Sequence, residues 1–428
     1  LDKPSSLKAK LSLLLYSLAG YLLLPIILLY LARRMLKSKD YQQGFWQRLG
    51  FIPKQYQGCI HIHCASLGEV NAAKSLIQQL VELYPSKQIL VTNSTPTGAA
   101  QVNTLFSGKV TQLMAPIDTW GASRRFARRI RPQLSIFTEV EIWPNWLHAL
   151  KRNDAKLLLA NARLSEKSFK RYQKFSALFL PCIACFDWIG CQSKTVAERY
   201  QTLSASKVVS TGNLKFDIKM SENLTEKVIE LGNLVEGQRD IWVGASVHPI
   251  EYQAVISAHL QLKKALPNIL LILVPRHPEQ FESVASYLTE QQIAFVKRSE
   301  KQSVSKHTSV WLIDTLGELI SFYAFSDMAF VGGSLVNRGG HNPLEPAALA
   351  KPVLMGPFQD NCLEICQALR EKRALGTIEN PDELANALLR LWSEPALYQQ
   401  AAVGANDVIM ENQGATEQTL DAIRVQVI

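Results

Sequence analysis

Acidic residues are in short supply: the 428-residue chain carries 37 Asp plus Glu against 46 Lys plus Arg, a formal charge of +9. A basic surplus fits anionic partners, whether nucleic acid, a membrane surface or phosphorylated small molecules. No RNP, KH or zinc-finger signature accompanies it, so nucleic acid is not an expected partner. Glycine (22) and proline (19) show no excess and no low-complexity tract occurs, which excludes a disordered or collagen-like chain. The seven cysteines are an odd number in a long chain, excluding a disulfide-stapled miniprotein and favouring a reducing compartment. Cys182 and Cys185 stand at C-x-x-C spacing, but no second pair and no H-x3-5-H follows, so packed free thiols are the expectation. There is no D-x-D, no G-K-[ST] and no G-x-G-x-x-G opening the first unit. A metal-bridged nucleotide diphosphate, a P-loop ATPase and a dinucleotide enzyme are therefore disfavoured. No fixed-period repeat is present, against a solenoid.

What is there begins with a charge-free apolar run over residues 11–32, LSLLLYSLAGYLLLPIILLYLA. At 1.5 Å rise it is long enough to cross a hydrocarbon core of ~30 Å, and it reads as a transmembrane or deeply inserted helix. Pro25 is tolerated in lipid. Lys3, Lys8 and Lys10 precede the run, against Arg33, Arg34, Lys37, Lys39 and Arg48 after it. The positive-inside rule then leaves the remaining chain cytoplasmic. A helix lying in the interface is the alternative.

From residue 57 onward short apolar runs alternate with helical periodicity: CIHIHC, QILVT, VTQLMAP, LSIFTE, KLLLA, WIGCQ and VVSTG. After a polar stretch the pattern resumes with IWVGAS, ILLILVP, IAFV, VWLID, MAFVGGS, PVLMGP and ALGTI. Two runs of βαβ units imply an α/β protein of two doubly wound, Rossmann-like lobes facing a cleft, with ligands at the carboxyl ends of the strands. The expected layout is an anchor (1–36), a first lobe (37–212), a linker (213–238), a second lobe (239–405) and a C-terminal helix (406–428) packing back towards the first lobe.

Functional residues are accordingly sought just after strands. In residues 328–357 a strand, a Gly-rich loop and a helix follow one another. Asn342, Pro343 and Glu345 have the spacing of a helix start, whose unpaired N–H groups attract an anion. Gly332, Gly333, Gly339 and Gly340 let amides approach a phosphate, with Ser334 and Arg338 as further donors. Turn-making glycines and a capping Glu345 are the structural alternative. LILVPRHPE puts Arg276 and His277 after a strand, where Arg276 suits a phosphate, although a solvated loop arginine fits as well. GASVHPIE repeats the plan with Ser246 and His248. In the first lobe CASLGEV places Ser66 and Glu69 at capping-box spacing, yet at a strand end where a carboxylate can serve as general base. FTEVEIWPN offers Glu139 and Glu141 as paired carboxylates able to bind a sugar hydroxyl, ligate a metal or shift one another's pKa. Basic residues concentrate in SRRFARRIRP (Arg125, Arg128, Arg129) and NARLSEKSFKRYQK (Arg163), as on helices resting on headgroups or on ordinary solvated faces.

In order, ASLGEV, TEVEIWPN, NARLSEKS, TGNLKFD, ASVHPIE, VPRHPE and GGSLVNRGGHNPLEPA, behind an apolar helix, resemble the 3-deoxy-D-manno-octulosonic acid (Kdo) transferases of lipopolysaccharide assembly. The resemblance spans essentially the whole chain. It implies the GT-B fold and an inverting, metal-independent glycosyltransferase without cofactor, moving Kdo from CMP-Kdo to a lipid A precursor at the inner membrane. Glu69 falls on the family's proposed general base, and Glu139 and Glu141 on its second acidic cluster. Arg276 and His277 fall near the cytidine, and Gly333, Ser334, Asn342 and Glu345 in the segment for the CMP phosphate and ribose. Where the family reads Ser-Thr-His, this chain has Ser246-Val247-His248, without the threonine hydroxyl. A GT-B-like nucleotide-sugar epimerase and a non-enzymatic membrane adaptor are the other classes considered.

Overall fold

The computed structural model describes residues 6–203, 207–218, 220 and 223–427; Lys3, counted above among the cations before the apolar run, lies outside the described residues. The chain divides into two units, residues 1–217 with 412–428, and residues 218–411.

In the first unit seven strands form one parallel sheet: β1 (Ile60–His63), β2 (Ile89–Asn93), β3 (Thr111–Met114), β4 (Leu134–Thr138), β5 (Lys156–Ala162), β6 (Trp188–Cys191) and β7 (Val208–Ser210), in the order β3-β2-β1-β4-β5-β6-β7. The second unit repeats the plan with β8 (Ile241–Val247), β9 (Leu270–Pro275), β10 (Phe295–Lys297), β11 (Val310–Leu312), β12 (Met328–Val331), β13 (Val353–Met355) and β14 (Leu375–Thr377), in the order β10-β11-β9-β8-β12-β13-β14. Every expected strand is present, in two doubly wound lobes of the GT-B class. The strands are apolar on both faces because helices cover both. Ile60, Ile62, Leu134 and Ile136 pack on one side of the first sheet, and Leu90, Phe137, Leu157 and Leu159 on the other. In the second, Val243 and Ile272 oppose Trp242 and Leu271 in the same way. Strand order reverses between β1 and β4 in one sheet and between β8 and β12 in the other. Ligands of doubly wound sheets bind at such reversals.

Between the lobes' sequences, the Leu224–Leu234 helix packs on the Leu319–Phe325 helix of the second unit. The Ala415–Val427 helix returns to the first unit, where Asp217 caps it by accepting from the Gly414 and Thr416 amides. All seven cysteines are buried and unbridged, Cys182 and Cys185 each donating to the carbonyl four residues earlier.

Residues 6–37 form one helix, α1, long and apolar enough to cross a membrane. It is docked on the first unit rather than standing free of it. Tyr16 donates to Asp118 at 3.0 Å, Ser17 to Asn145 at 2.7 Å, and the Gly121 amide to Tyr21 at 2.9 Å. Buried or half-buried positions recur at 9, 12, 13, 16, 17, 20, 24, 27, 28, 31, 32 and 35, the spacing of one broad helical face. The opposite face, including Leu11, Leu15, Leu22, Ile26 and Leu29, is exposed and apolar. Asp118 anchors the contact, accepting also from Ser123 and from the Asn145 and Trp146 amides. Asp118→Ala strands these buried donors and is expected to destabilise the first unit by about 2–4 kcal/mol. Urea unfolding with α1 proteolysis as a second readout measures this; an unchanged midpoint contradicts the anchoring role.

Candidate functional site

The first unit gathers carboxylates at its strand-order reversal. Cys64 ends the β1 segment, and Ser66 caps the Leu67–Ala72 helix, its hydroxyl accepting from the Glu69 amide. Glu69 turns back over the strand end, with Oε2 accepting from the Ala65 amide at 2.9 Å and the Thr138 hydroxyl at 2.8 Å, and Oε1 from Ser66 at 3.0 Å. It is 8% exposed. Burial raises its pKa, the bond from Thr138 opposes this, and the charge of nearby Glu141 raises it further. Capping therefore does not exhaust the side chain: Oε2 takes two donors and Oε1 one, so Oε1 keeps a lone pair able to meet a ligand.

Glu139 and Glu141 follow β4. Glu139 has φ +56, a left-handed backbone that is costly for a residue with Cβ and that recurs at functional sites. Its amide and carbonyl bond Ala160 and Arg163, which fixes the turn. Glu141 accepts from Trp143 Nε1 at 2.5 Å and lies 3.2 Å from His63 Nε2. Burial pulls its pKa upward, but the bond and charge of His63, with the bond from Trp143, outweigh burial and hold it below the ordinary value. One carboxylate is thus tuned up and its neighbour down, the arrangement that separates acid and base roles.

Behind them runs a buried relay that sequence reasoning missed. His63 Nδ1 and His61 Nε2 each lie 2.9 Å from the Thr92 hydroxyl, and His61 Nδ1 lies 2.8 Å from Ser135. Burial, with the charge of His63, keeps His61 far below its ordinary pKa and so neutral. The signal was legible: two polar residues at i, i+2 in CIHIHC share a strand face that a doubly covered sheet would fill with apolar side chains.

In the second unit Ser246, His248, Arg276, His277, Arg338 and His341 meet at the ends of β8, β9 and β12. Ser246 sits in a bulge of β8 with φ +53, and the Arg276 amide bonds the Val247 carbonyl. His248 and His341 stack with centroids 5.2 Å apart and Nε2 atoms 3.0 Å apart, and His277 meets His248 edge-on at 5.8 Å. Burial is the largest cause lowering both pKa values, His341 to about 4, with the charge of Arg276 acting on each and that of Arg338 also on His248. Neutral imidazoles flanked by exposed guanidinium groups suit a base edge beside a phosphate.

Two expectations need correction. The amides of Gly333 and Ser334 do not point to an open phosphate cradle: with Leu335 they donate to the buried carboxylate of Glu251, at 2.7, 2.9 and 2.8 Å. Gly332 donates to Ala245, and the fully buried Ser334 hydroxyl joins the Val331 carbonyl to the Gly356 amide. Gly333 has φ +70, and a Cβ there would come within 2.9 Å of the His341 ring, so the glycine shapes the histidine pair. The helix expected to open at Asn342 is the single turn Leu344–Ala347; Asn342 accepts from the Leu344 amide at 3.1 Å and Glu345 is half-buried beside it. One turn sums too few peptide dipoles to be an anion site of the kind expected. Arg125, Arg128, Arg129 and Arg163 are all exposed; Arg125 also donates to the Leu49 carbonyl and stacks on Phe51. Among the described residues no group of three His, Cys, Asp or Glu is placed to hold a metal.

Comparison with known proteins bears on both units. A family model described as 3-deoxy-D-manno-octulosonic-acid transferase (kdotransferase) matches residues 43–218. The chain is 37% identical over 407 residues to the 3-deoxy-D-manno-octulosonic acid transferase of Haemophilus influenzae, covering 94% of this chain and 95% of that one. It is 31% identical over 437 residues to that of Bordetella pertussis, with 95% and 98% covered. Among solved structures, MurG of Acinetobacter baumannii aligns with a TM-score of 0.54 at 12% identity over 87% of this chain and 99% of that one, a likeness of fold.

Proposed function

We propose, for a chain that belongs to the 3-deoxy-D-manno-octulosonic acid transferase family and is a glycosyltransferase, that it moves Kdo from CMP-Kdo to a hydroxyl of a lipid A precursor (lipid IVA), inverting the anomeric centre and using no metal. The observation that carries this reading is the buried carboxylate of Glu69 at the end of the β1 segment, tuned upward beside a Glu141 tuned downward. Glu69 takes the proton of the acceptor hydroxyl, whose oxygen forms the new bond to the anomeric carbon. The bond from that carbon to the CMP phosphate breaks on the opposite face, and its electron pair leaves with CMP; attack opposite the leaving group inverts the centre. The charge growing on the departing phosphate is met by Arg276 and Arg338, the exposed cations following β9 and β12. Glu139 and Glu141 bind sugar hydroxyls.

The outward apolar face of α1 supports a seat on the membrane. Because the helix is docked at Tyr16–Tyr21 and again buried at Leu31, we read it as lying in the interface with its free face in the acyl layer. The seven unbridged thiols support the cytoplasmic face of the inner membrane.

Incubation with CMP-Kdo and a lipid A precursor, followed by mass spectrometry, is expected to give an acceptor heavier by Kdo. A soluble product formed without acceptor would instead identify an epimerase, and failure to bind any cytidine nucleotide an adaptor. Arg276→Ala is expected to raise the KM for CMP-Kdo roughly tenfold to a hundredfold, the equivalent of one charge-assisted hydrogen bond, with a smaller change in kcat. An unchanged KM removes Arg276 from the donor site.

A further inference from the structure

Between α1 and the Trp120–Ile130 and Pro144–Lys151 helices lies a cavity of about 550 Å³ that the transfer chemistry leaves unused. Its lining divides in two. Lys10, Arg124, Arg128 and Arg152 bring four cations, and among the described residues no carboxylate lines the space. Leu14 and Leu18 bring apolar surface continuous with the outward face of α1, at 55% and 51% exposure. His148 adds no charge, since burial, aided by the charge of Arg152, lowers its pKa. Arg124 is held over the Trp120 ring, 5.0 Å from its centroid, so one guanidinium is oriented in advance.

Uncompensated like charges repel, and an anion among them relieves that repulsion. A free phosphate would answer the arginines and leave the leucines wet. An apolar segment would cover the leucines and bury cations unpaired, at the cost that accompanies desolvated charge. A phosphate ester joined to an acyl chain meets both halves of the lining. We propose that the cavity holds one anionic phospholipid of the bilayer, its phosphate among Arg124, Arg128 and Arg152 and one acyl chain along Leu14 and Leu18. Bound there, the lipid bridges α1 to the lobe and sets how deep the lobe sits. The proposal rests on the in-plane reading of α1 given above.

Native mass spectrometry of the full chain released from nanodiscs tests it. Wild type from phosphatidylglycerol discs is expected to retain one phospholipid, and from phosphatidylcholine discs at least about tenfold less, reflecting the missing net charge. Arg124→Ala with Arg152→Ala is expected to lower the occupancy at least about tenfold, the effect of losing a charge-assisted contact. Leu18→Trp, which fills the cavity and alters no charge, is expected to release the lipid too. Retention by Leu18→Trp, a lipid-free wild type, displacement by millimolar inorganic phosphate, or capture of the lipid A precursor in place of phosphatidylglycerol each overturns the proposal. Kdo transfer in the same discs is read separately. A lipid-free wild type that still transfers sinks the lipid site alone, and a lipid-retaining wild type that does not transfer sinks the proposed function alone.

Discussion

Glu69→Gln is expected to turn over roughly 10²- to 10⁴-fold more slowly than the native chain, the usual contribution of a positioned base, while CMP-Kdo binding is kept. The amide is nearly isosteric. Its oxygen can still accept from Ala65 and Thr138, and its NH2 can still meet Ser66, so the helix cap survives and only proton acceptance is lost. The pH dependence provides a second readout. Burial raises the Glu69 pKa, and only the ionised form accepts a proton, so activity falls as pH falls through a value above that of an ordinary glutamate. Stability runs the other way. With the folded pKa above the unfolded one, the native state binds more protons between the two values, and this carboxyl makes the fold less stable as pH rises through that window. Glu69→Gln therefore removes both the acid limb of kcat and this part of the stability profile. Near-native turnover by the variant would falsify the base assignment and return Glu69 to its capping role.

Glu251→Ala is expected to unfold or loosen the second unit, at about 4–5 kcal/mol, near the upper end for single substitutions. Its carboxylate is 1% exposed and accepts from four backbone amides, those of His248, Gly333, Ser334 and Leu335. Truncation takes the partner from each of these donors in a low-dielectric site. Glu251→Gln keeps one accepting oxygen but turns an NH2 towards amide donors, and should recover less than half of the loss. Hydrogen exchange reports the effect directly: protection at residues 333–335 should collapse in the alanine variant, with CMP affinity falling because the same loop carries Arg338 and His341. Unchanged protection there means that the loop holds its shape without the carboxylate.

The error about this loop shows where sequence reasoning stops. GGSLVNRGGHNPLEPA was recognisable as a phosphate-type segment because glycine spacing and a helix-start signature are local properties. Glu251 lies 82 residues before Gly333, on another βα unit, and no local pattern reveals that its carboxylate fills the amides of a distant turn. His61 and His63 tell a related story. Their alternation in β1 was visible, but the Thr92 hydroxyl that joins them comes from β2, and the Glu141 that ends the relay follows β4. Arg125 and Arg128 sit three residues apart in one basic run, yet one holds the Leu49 carbonyl and the other lines the cavity beside α1. Composition could not separate them.

By itself the sequence determined the fourteen strands, the two parallel sheets, the apolar helix and the strand ends where a site was to be sought, because continuous apolar runs, helical periodicity and turn residues are written over a few consecutive positions. The tertiary structure alone decided which carboxylate is tuned upward, which amides are already bonded, and that α1 lies against its lobe. Each of those depends on burial and on partners brought from tens of residues away, and desolvation is a property of the packed neighbourhood rather than of the residue.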